Sequence, residues 1–430
     1  MKPCVGIIYT KESTVSREET QLAQYVALCI AFSGCCSKTF LVGIEANVKS
    51  LVKKCSNRTK SRAVARRCDG VLIDNYQLSS DTYEETDEWM RLETCDLWVL
   101  LLDTDATLSV VEFLYEKLDK QKKERPKRVV LSLQTTMRRL AQLNAVLPEA
   151  IVLHGGAAFQ VIKDEKSILR PLSSGCFFVE RLSKEKTSAL YALDVLEATK
   201  IQVLSRCNIQ AMKWGCTMLR SFYYINALTG RSTLDGLRDR KTRFLFLQAL
   251  VEMDKLFREV LTNIAIAQPK SRHRRNESNP DTSAATLFPV QSLMVLLPLP
   301  DWIFNGFILR FFDLGLGDAV SVISSDLKAR PFLETNFDTE FRDVFELATG
   351  RKIALPALKM VEKYLVIVKR RQKVKQLDGG SSEMPVGIDS AALLAEVKLD
   401  SHCTRASRTF FLKVLTTFVL TMLLAIYLFV

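Results

Sequence analysis

The sequence predicts an α/β, Rossmann-like N-terminal domain, then an all-α C-terminal domain, then a transmembrane helix at the C-terminal end. Three observations carry this. Apolar runs of strand length alternate with amphipathic helical stretches through the first half. Beyond roughly residue 183 the period turns helical and stays so, apart from a short strand over residues 201–204. Residues 414–430 are 17 residues without a charge. The expected boundaries are 1–209 for the first domain and 210–372 for the second, with a polar insert at 268–287. A flexible linker at 373–408 and a tail anchor at 409–430 complete the chain.

Each element follows from local pattern. Val5-Gly6-Ile7-Ile8-Tyr9 is an apolar strand, and the helix after it puts Leu22, Val26, Cys29 and Ile30 on one face. Between them, residues 10–19 lack the small residues that let backbone N–H groups reach a pyrophosphate, and residues 7–33 contain no glycine. Glu12, Glu18 and Glu19 stand there instead and should repel a phosphate. A second strand covers residues 39–42. The run from Cys95 to Leu102 is nearly all apolar, as in a strand buried on both faces of a parallel sheet. Residues 110–120 read as helix, and 128–133 and 150–154 as further buried strands.

The 430 residues suffice for two domains, and 48% apolar with 25% charged residues describes a globular chain. The formal charge of +12 suits an acidic partner, nucleic acid or anionic lipid. No RNP-type motif or zinc-finger spacing accompanies it, so nucleic acid is set aside. Eleven cysteines without a repeated spacing or a C-x-x-C pair are expected to be reduced and mostly buried. Three histidines, His154, His273 and His402, are too few and too scattered for a metal cage or a histidine triad. No metal is expected.

The ends differ. Lys11, Glu12 and Arg17 interrupt any apolar run at the start, so no signal peptide is expected. At the other end, Arg405 and Arg408 precede the charge-free stretch, which places the body on the cytosolic side of a tail-anchored layout. The short span and its basic flank lean towards the mitochondrial outer membrane over the endoplasmic reticulum or peroxisome. Residues 351–375 hold nine basic side chains against Glu362 alone. They suit anionic lipid, with a solvated helix face as the equal alternative.

Several segments, in order, resemble the ketopantoate reductase family. Val130-Leu131-Ser132-Leu133-Gln134 is similar to its V-x-S-L-Q-N-G strand end, and Leu147-Pro148-Glu149 through Gly155-Gly156 to the strand and turn that follow. Residues 193–209 resemble the last helix and strand before its domain junction. Trp214 through Asn226-Ala227-Leu228-Thr229-Gly230 resembles its W-x-K-L…N…A-L-T-G helix, and Ser321 through Asp326 to Glu334 its S-S-M-x-x-D…E segment. The likeness spans roughly residues 1–370. It implies a Rossmann-like domain with a C-terminal domain like that of 6-phosphogluconate dehydrogenase, and NADP-dependent reduction of a 2-oxo acid.

Carried over position by position, the resemblance also implies losses. The arginine that holds the NADP 2′-phosphate falls near Ile44, the lysine after the C-D-L-type strand on Asp103, and the L-Q-N-G asparagine and glycine on Thr135 and Thr136. The catalytic lysine falls on Cys216, or on Gly215 when aligned from the A-L-T-G end. Lys213 is a poor substitute, because three helical residues turn a side chain about 300° around the axis. The substrate serine falls on Val322, beside Ser321. Glu334 alone keeps its catalytic position.

The expectation is therefore a membrane-anchored pseudoenzyme without a cofactor, acting as a scaffold for a protein partner. Phe222-Tyr223-Tyr224 and Trp302-Ile303-Phe304 are candidate contact surfaces, with burial in the core as the competing reading. The alternative is a divergent NADP-dependent reductase of ketopantoate or a similar 2-oxo acid.

Overall fold

A computed structural model describes residues 2–11, 17–45, 62–102, 107–118, 127–134, 140–159, 161–164, 166–171, 175–206, 209–231, 233–267, 290–309, 337, 341–377, 387–397, 409, 412, 413 and 416. The chain divides into two compact units, Met1–Lys213 and Trp214–Val430.

In the first unit the chain runs β1 (Cys4–Thr10), α1 (Arg17–Ser33), β2 (Lys38–Ile44), β3 (Val64–Arg66), β4 (Leu72–Asp74), β5 (Tyr83–Thr86) and β6 (Leu97–Leu101). It continues through α2 (Thr107–Leu118), β7 (Val129–Ser132), α3 (Leu140–Val146), β8 (Ile151–Ala157), β9 (Val161–Lys163) and β10 (Ile168–Pro171). It closes with β11 (Cys176–Glu180), α4 (Tyr191–Glu197) and β12 (Gln202–Arg206). The main sheet has the order β12-β11-β8-β7-β6-β1-β2-β5. From β5 to β8 every pair is parallel, and β11 enters antiparallel against β8.

That order reverses at β1, with β2 on one side and β6 on the other. A crevice opens outside the carboxyl ends of such strands at the reversal, where α/β sheets take their ligands. The apolar runs explain the placement: β6 and β7 are buried at every residue. Their alternate side chains feed two cores. Ile7, Leu41, Val99 and Leu131 pack with α1 residues Val26, Leu28 and Ile30. Ile8, Val42, Leu100 and Val130 pack with Val110, Val111 and Leu114 of α2.

A smaller sheet, β4-β3-β10-β9, is absent from the sequence expectations. Its Ala65, Ile73, Val161 and Leu169 join the α1 core. Three- and four-residue strands carry too little alternation to be read from pattern.

The helix α5 (Ile209–Thr229) opens the helical part. It is followed by α6 (Thr233–Arg238), α7 (Arg240–Ala267), α8 (Val290–Leu296), α9 (Asp301–Ile303), α10 (Arg342–Arg351), α11 (Pro356–Leu377) and α12 (Ser390–Glu396). Trp214 on α5 is buried, donates to the Met253 carbonyl at 3.3 Å and stacks on Phe257. No helix among the described residues is long and apolar enough to cross a membrane. The transmembrane helix expected at 409–430 falls almost wholly outside the described residues, as does the insert 268–287.

Buried Glu252 on α7 accepts the backbone N–H of Ala357 at 2.9 Å and of Leu358 at 3.3 Å, and so caps the start of α11. Burial pushes its carboxyl up to about 7 against these hydrogen bonds. A raised acid favours the folded state below its unfolded value near 4.5, and that contribution is lost as pH rises through about 7. Glu252→Gln keeps an acceptor and cannot ionise. Wild type should therefore lose stability relative to Glu252→Gln between pH 5 and 8, by on the order of 2–3 kcal/mol, measured by urea denaturation at each pH.

Candidate functional site

The carboxyl ends of β6, β7 and β8 gather polar side chains in an otherwise apolar layer. Parallel register places Leu100 opposite Ser132 and Ser132 opposite His154, in one row on the α2 face of the sheet. Ser132 is fully buried and His154 is 8% exposed. Among the described residues neither Ser132 Oγ nor His154 Nδ1 has a hydrogen-bond partner. Such atoms cost free energy unless a ligand or water satisfies them. Burial, then the charges of Lys213 and Lys186, lowers His154 to about 4, so its imidazole is neutral at pH 7.

Two residues beyond Ser132, Gln134 donates to the Leu102 carbonyl at 2.7 Å and to the Thr107 hydroxyl, tying β7 to the start of α2. The Gln134 carbonyl in turn accepts from Lys213 Nζ. Lys213 is fully buried, so its long side chain brings an ammonium to the carboxyl end of β7. The helical phase that set Lys213 aside in sequence holds for the Cα position. It does not fix where a flexible four-carbon stem ends.

Near the sheet reversal, Lys11 pairs with Asp87, and its backbone N–H donates to the Ile44 carbonyl at 2.7 Å. Ile44 is buried in the α2-side core, so an apolar side chain closes β2 where the resemblance puts an arginine. Cys216 is half-buried and Gly215 buried on α5. Glu334, Asp103, Thr135, Thr136, Ser321 and Val322 lie outside the described residues, as do Glu12 and the rest of 12–16.

The second unit holds a polar group of its own. Asn226 on α5 is fully buried, and among the described residues neither its Oδ1 nor its Nδ2 has a hydrogen-bond partner. The sequence reading took Asn226 only as part of a family motif. A buried amide inside an apolar helix face is the signal that marks it. Of the aromatic candidates, Phe222, Tyr224 and Phe304 belong to the core, whereas Trp302 is 67% exposed. Among the described residues no group of three or more His, Cys, Asp or Glu side chains could hold a metal. The described cysteines Cys4, Cys29, Cys35, Cys36, Cys68, Cys95, Cys176 and Cys216 are free thiols.

No family model matches the sequence, and no curated protein does. Solved structures share the fold. A PanE/ApbA family ketopantoate reductase from Ralstonia eutropha JMP134 superposes with a TM-score of 0.53 at 13% identity, over 86% of this chain and 99% of that one. The dimeric ketopantoate reductase of Staphylococcus aureus gives a TM-score of 0.51 at 13% identity, over 86% and 99%. A D-mandelate dehydrogenase in complex with NADH gives 0.53 at 10% identity, over 85% and 99%. The chain therefore has the ketopantoate reductase fold, a Rossmann-like sheet domain with a helical C-terminal region.

These neighbours correct the expectation of no cofactor. Two D-mandelate dehydrogenase structures of this fold hold NADH, which points to a nucleotide rather than to none. The physical reason lies in the backbone. A helix start with free N–H groups and a reversal of strand order come with such a fold whatever side chains occupy the turn.

Proposed function

We propose that this chain, built on the ketopantoate reductase fold, binds a pyridine dinucleotide but has lost the reductase step, and serves as a membrane-tethered adaptor for another protein. The lysine positions along α5 carry this reading. Gly215 and Cys216 stand at the family's lysine position, and Lys213 spends its ammonium on the Gln134 carbonyl. Hydride transfer needs cofactor capture, orientation and a proton donor together.

The nucleotide part is supported by the reversal of strand order at β1 and by the unpartnered atoms of Ser132 and His154. A bound dinucleotide would supply a hydride. Ser132 and neutral His154 would each offer one hydrogen bond at the carboxyl ends of β7 and β8. The adaptor part is supported by the charge-free stretch 414–430 and the basic stretch 351–375. A body on the cytosolic side of the mitochondrial outer membrane fits this layout.

A second reading is a divergent NADP-dependent reductase of a 2-oxo acid. It is favoured by the arrival of the Lys213 ammonium at the carboxyl end of β7, which a proton donor there would need. One experiment separates the two. The full chain in detergent should unfold at a higher temperature with NADPH or NADH, by about 2.7 kcal/mol of stabilisation at a hundredfold excess over Kd. It should not oxidise NADPH with ketopantoate or other 2-oxo acids. Turnover that disappears in Lys213→Met would establish the reductase. No thermal shift with either nucleotide would overturn dinucleotide binding.

A further inference from the structure

We propose that Cys4 and Cys95 form a thiol-exchange site at the amino-terminal edge of the main sheet, with low-molecular-weight disulfides of the glutathione type as its substrates. The site lies at the opposite strand ends from the nucleotide crevice and does not depend on that reading.

The geometry comes from two neighbouring parallel strands. Cys4 opens β1, and Cys95 stands two residues before β6. The Cys4 N–H donates to Asp96 Oδ2 at 2.8 Å, and the Asp96 N–H donates to the Cys4 carbonyl at 2.8 Å. These bonds hold both backbones, so thiols 91 positions apart in sequence meet at 3.8 Å. Cys4 is half-buried, whereas Cys95 is 4% exposed. One thiol thus faces an incoming disulfide and the other waits behind it. Contact with Cys95 holds the Cys4 thiol below its ordinary range, while contact with Cys4 and burial push Cys95 up. The more exposed Cys4 is the attacking thiol and the buried Cys95 the resolving group.

A second pair stands at the same edge. Cys35 and Cys36 precede β2 with their sulfurs 3.4 Å apart, and the Ser37 N–H donates to the Pro3 carbonyl at 2.9 Å. Contact with Cys36 lowers Cys35 to about 6, so Cys35 competes for the same reagent. A disulfide between adjacent residues closes a small ring and distorts the peptide inside it. A disulfide between Cys4 and Cys95, on separate strands, carries no such ring constraint.

The chemistry balances in two exchanges. Cys4 thiolate attacks one sulfur of RS–SR, forming Cys4–S–S–R and expelling RS⁻, which takes up a proton. Cys95 then gives up its proton and attacks the Cys4 sulfur, forming the Cys4–Cys95 disulfide and expelling the second RS⁻, which is protonated in turn. The protein loses two hydrogens, and the external disulfide is reduced to two thiols.

The test uses the reduced full chain, treated with glutathione disulfide, blocked with an alkylating agent, digested and weighed. The expected product is a cross-linked pair of peptides containing Cys4 and Cys95, lighter by two hydrogens, with two equivalents of glutathione released. In Cys95→Ser, glutathione should remain on Cys4. A wild-type product with glutathione retained on Cys4 or Cys35, a Cys35–Cys36 link in its place, or no reaction would each overturn the proposal. The wild-type readout stands even where a variant does not fold.

Discussion

Replacing Arg243 with alanine is expected to destabilise the helical unit by about 3–5 kcal/mol. Its side chain is fully buried, yet the carboxylate it pairs with, Asp301, is 56% exposed on the side chain. Backbone carbonyls do most of the solvation. Nε donates to Leu297 at 2.9 Å, Nη2 to Leu299 at 2.9 Å, and Nη1 to Leu237 at 2.8 Å and Arg238 at 3.1 Å. Its Cζ also lies 4.2 Å from the Phe304 ring centre. Alanine would leave four carbonyls without their donor and a cavity beneath Phe304. Lysine brings a single ammonium and cannot span four acceptors, so Arg243→Lys should recover less than half of the loss. Urea denaturation should show a lower midpoint with an unchanged slope.

The first unit has a counterpart. Arg128→Ala is expected to cost about 2–4 kcal/mol. Arg128 is 8% exposed, and its Nη1 donates to the carbonyls of Leu92, at 2.9 Å, and Cys95. Those carbonyls end the 3₁₀ turn Trp89–Thr94, and the guanidinium lies 4.3 Å over Trp98. Trp98 donates its indole N–H to the same Leu92 carbonyl at 3.1 Å. Loss of the arginine should therefore change tryptophan fluorescence along with the unfolding midpoint. A lower midpoint with an unperturbed tryptophan signal would contradict this account.

The sequence made the large parallel strands legible because burial on both faces demands unbroken apolar runs, as at Leu97–Leu101 and Val129–Ser132. It also made the fold family legible, through the order of weak motifs rather than the strength of any one. What stayed hidden was set by side chains meeting across long separations. Arg243 reaches carbonyls 54 and 56 residues away, and Lys213 one 79 residues away. Periodicity is blind to such contacts. The candidate site was half legible. Ile44 is the last residue of β2, buried and apolar. Ser132, His154 and Asn226 needed burial and hydrogen-bond accounting to be noticed. Phosphate binding at a helix start depends on backbone geometry, which the residues of the turn do not display by themselves.

The main sheet is open, and its two outer strands govern how crowded this protein can become. At one edge β5 is Tyr83-Glu84-Glu85-Thr86, with Glu84 engaged by Lys38 at 2.8 Å. At the other, β12 exposes Gln202, Ser205 and Arg206. Unpaired strand edges invite another copy to add its own sheet, and charge placed on them makes that pairing costly. Carboxylates guard one border and an arginine the other. An open sheet depends on such borders to avoid edge-to-edge aggregation, so neutralising Glu84 and Glu85 together should lower the protein's solubility.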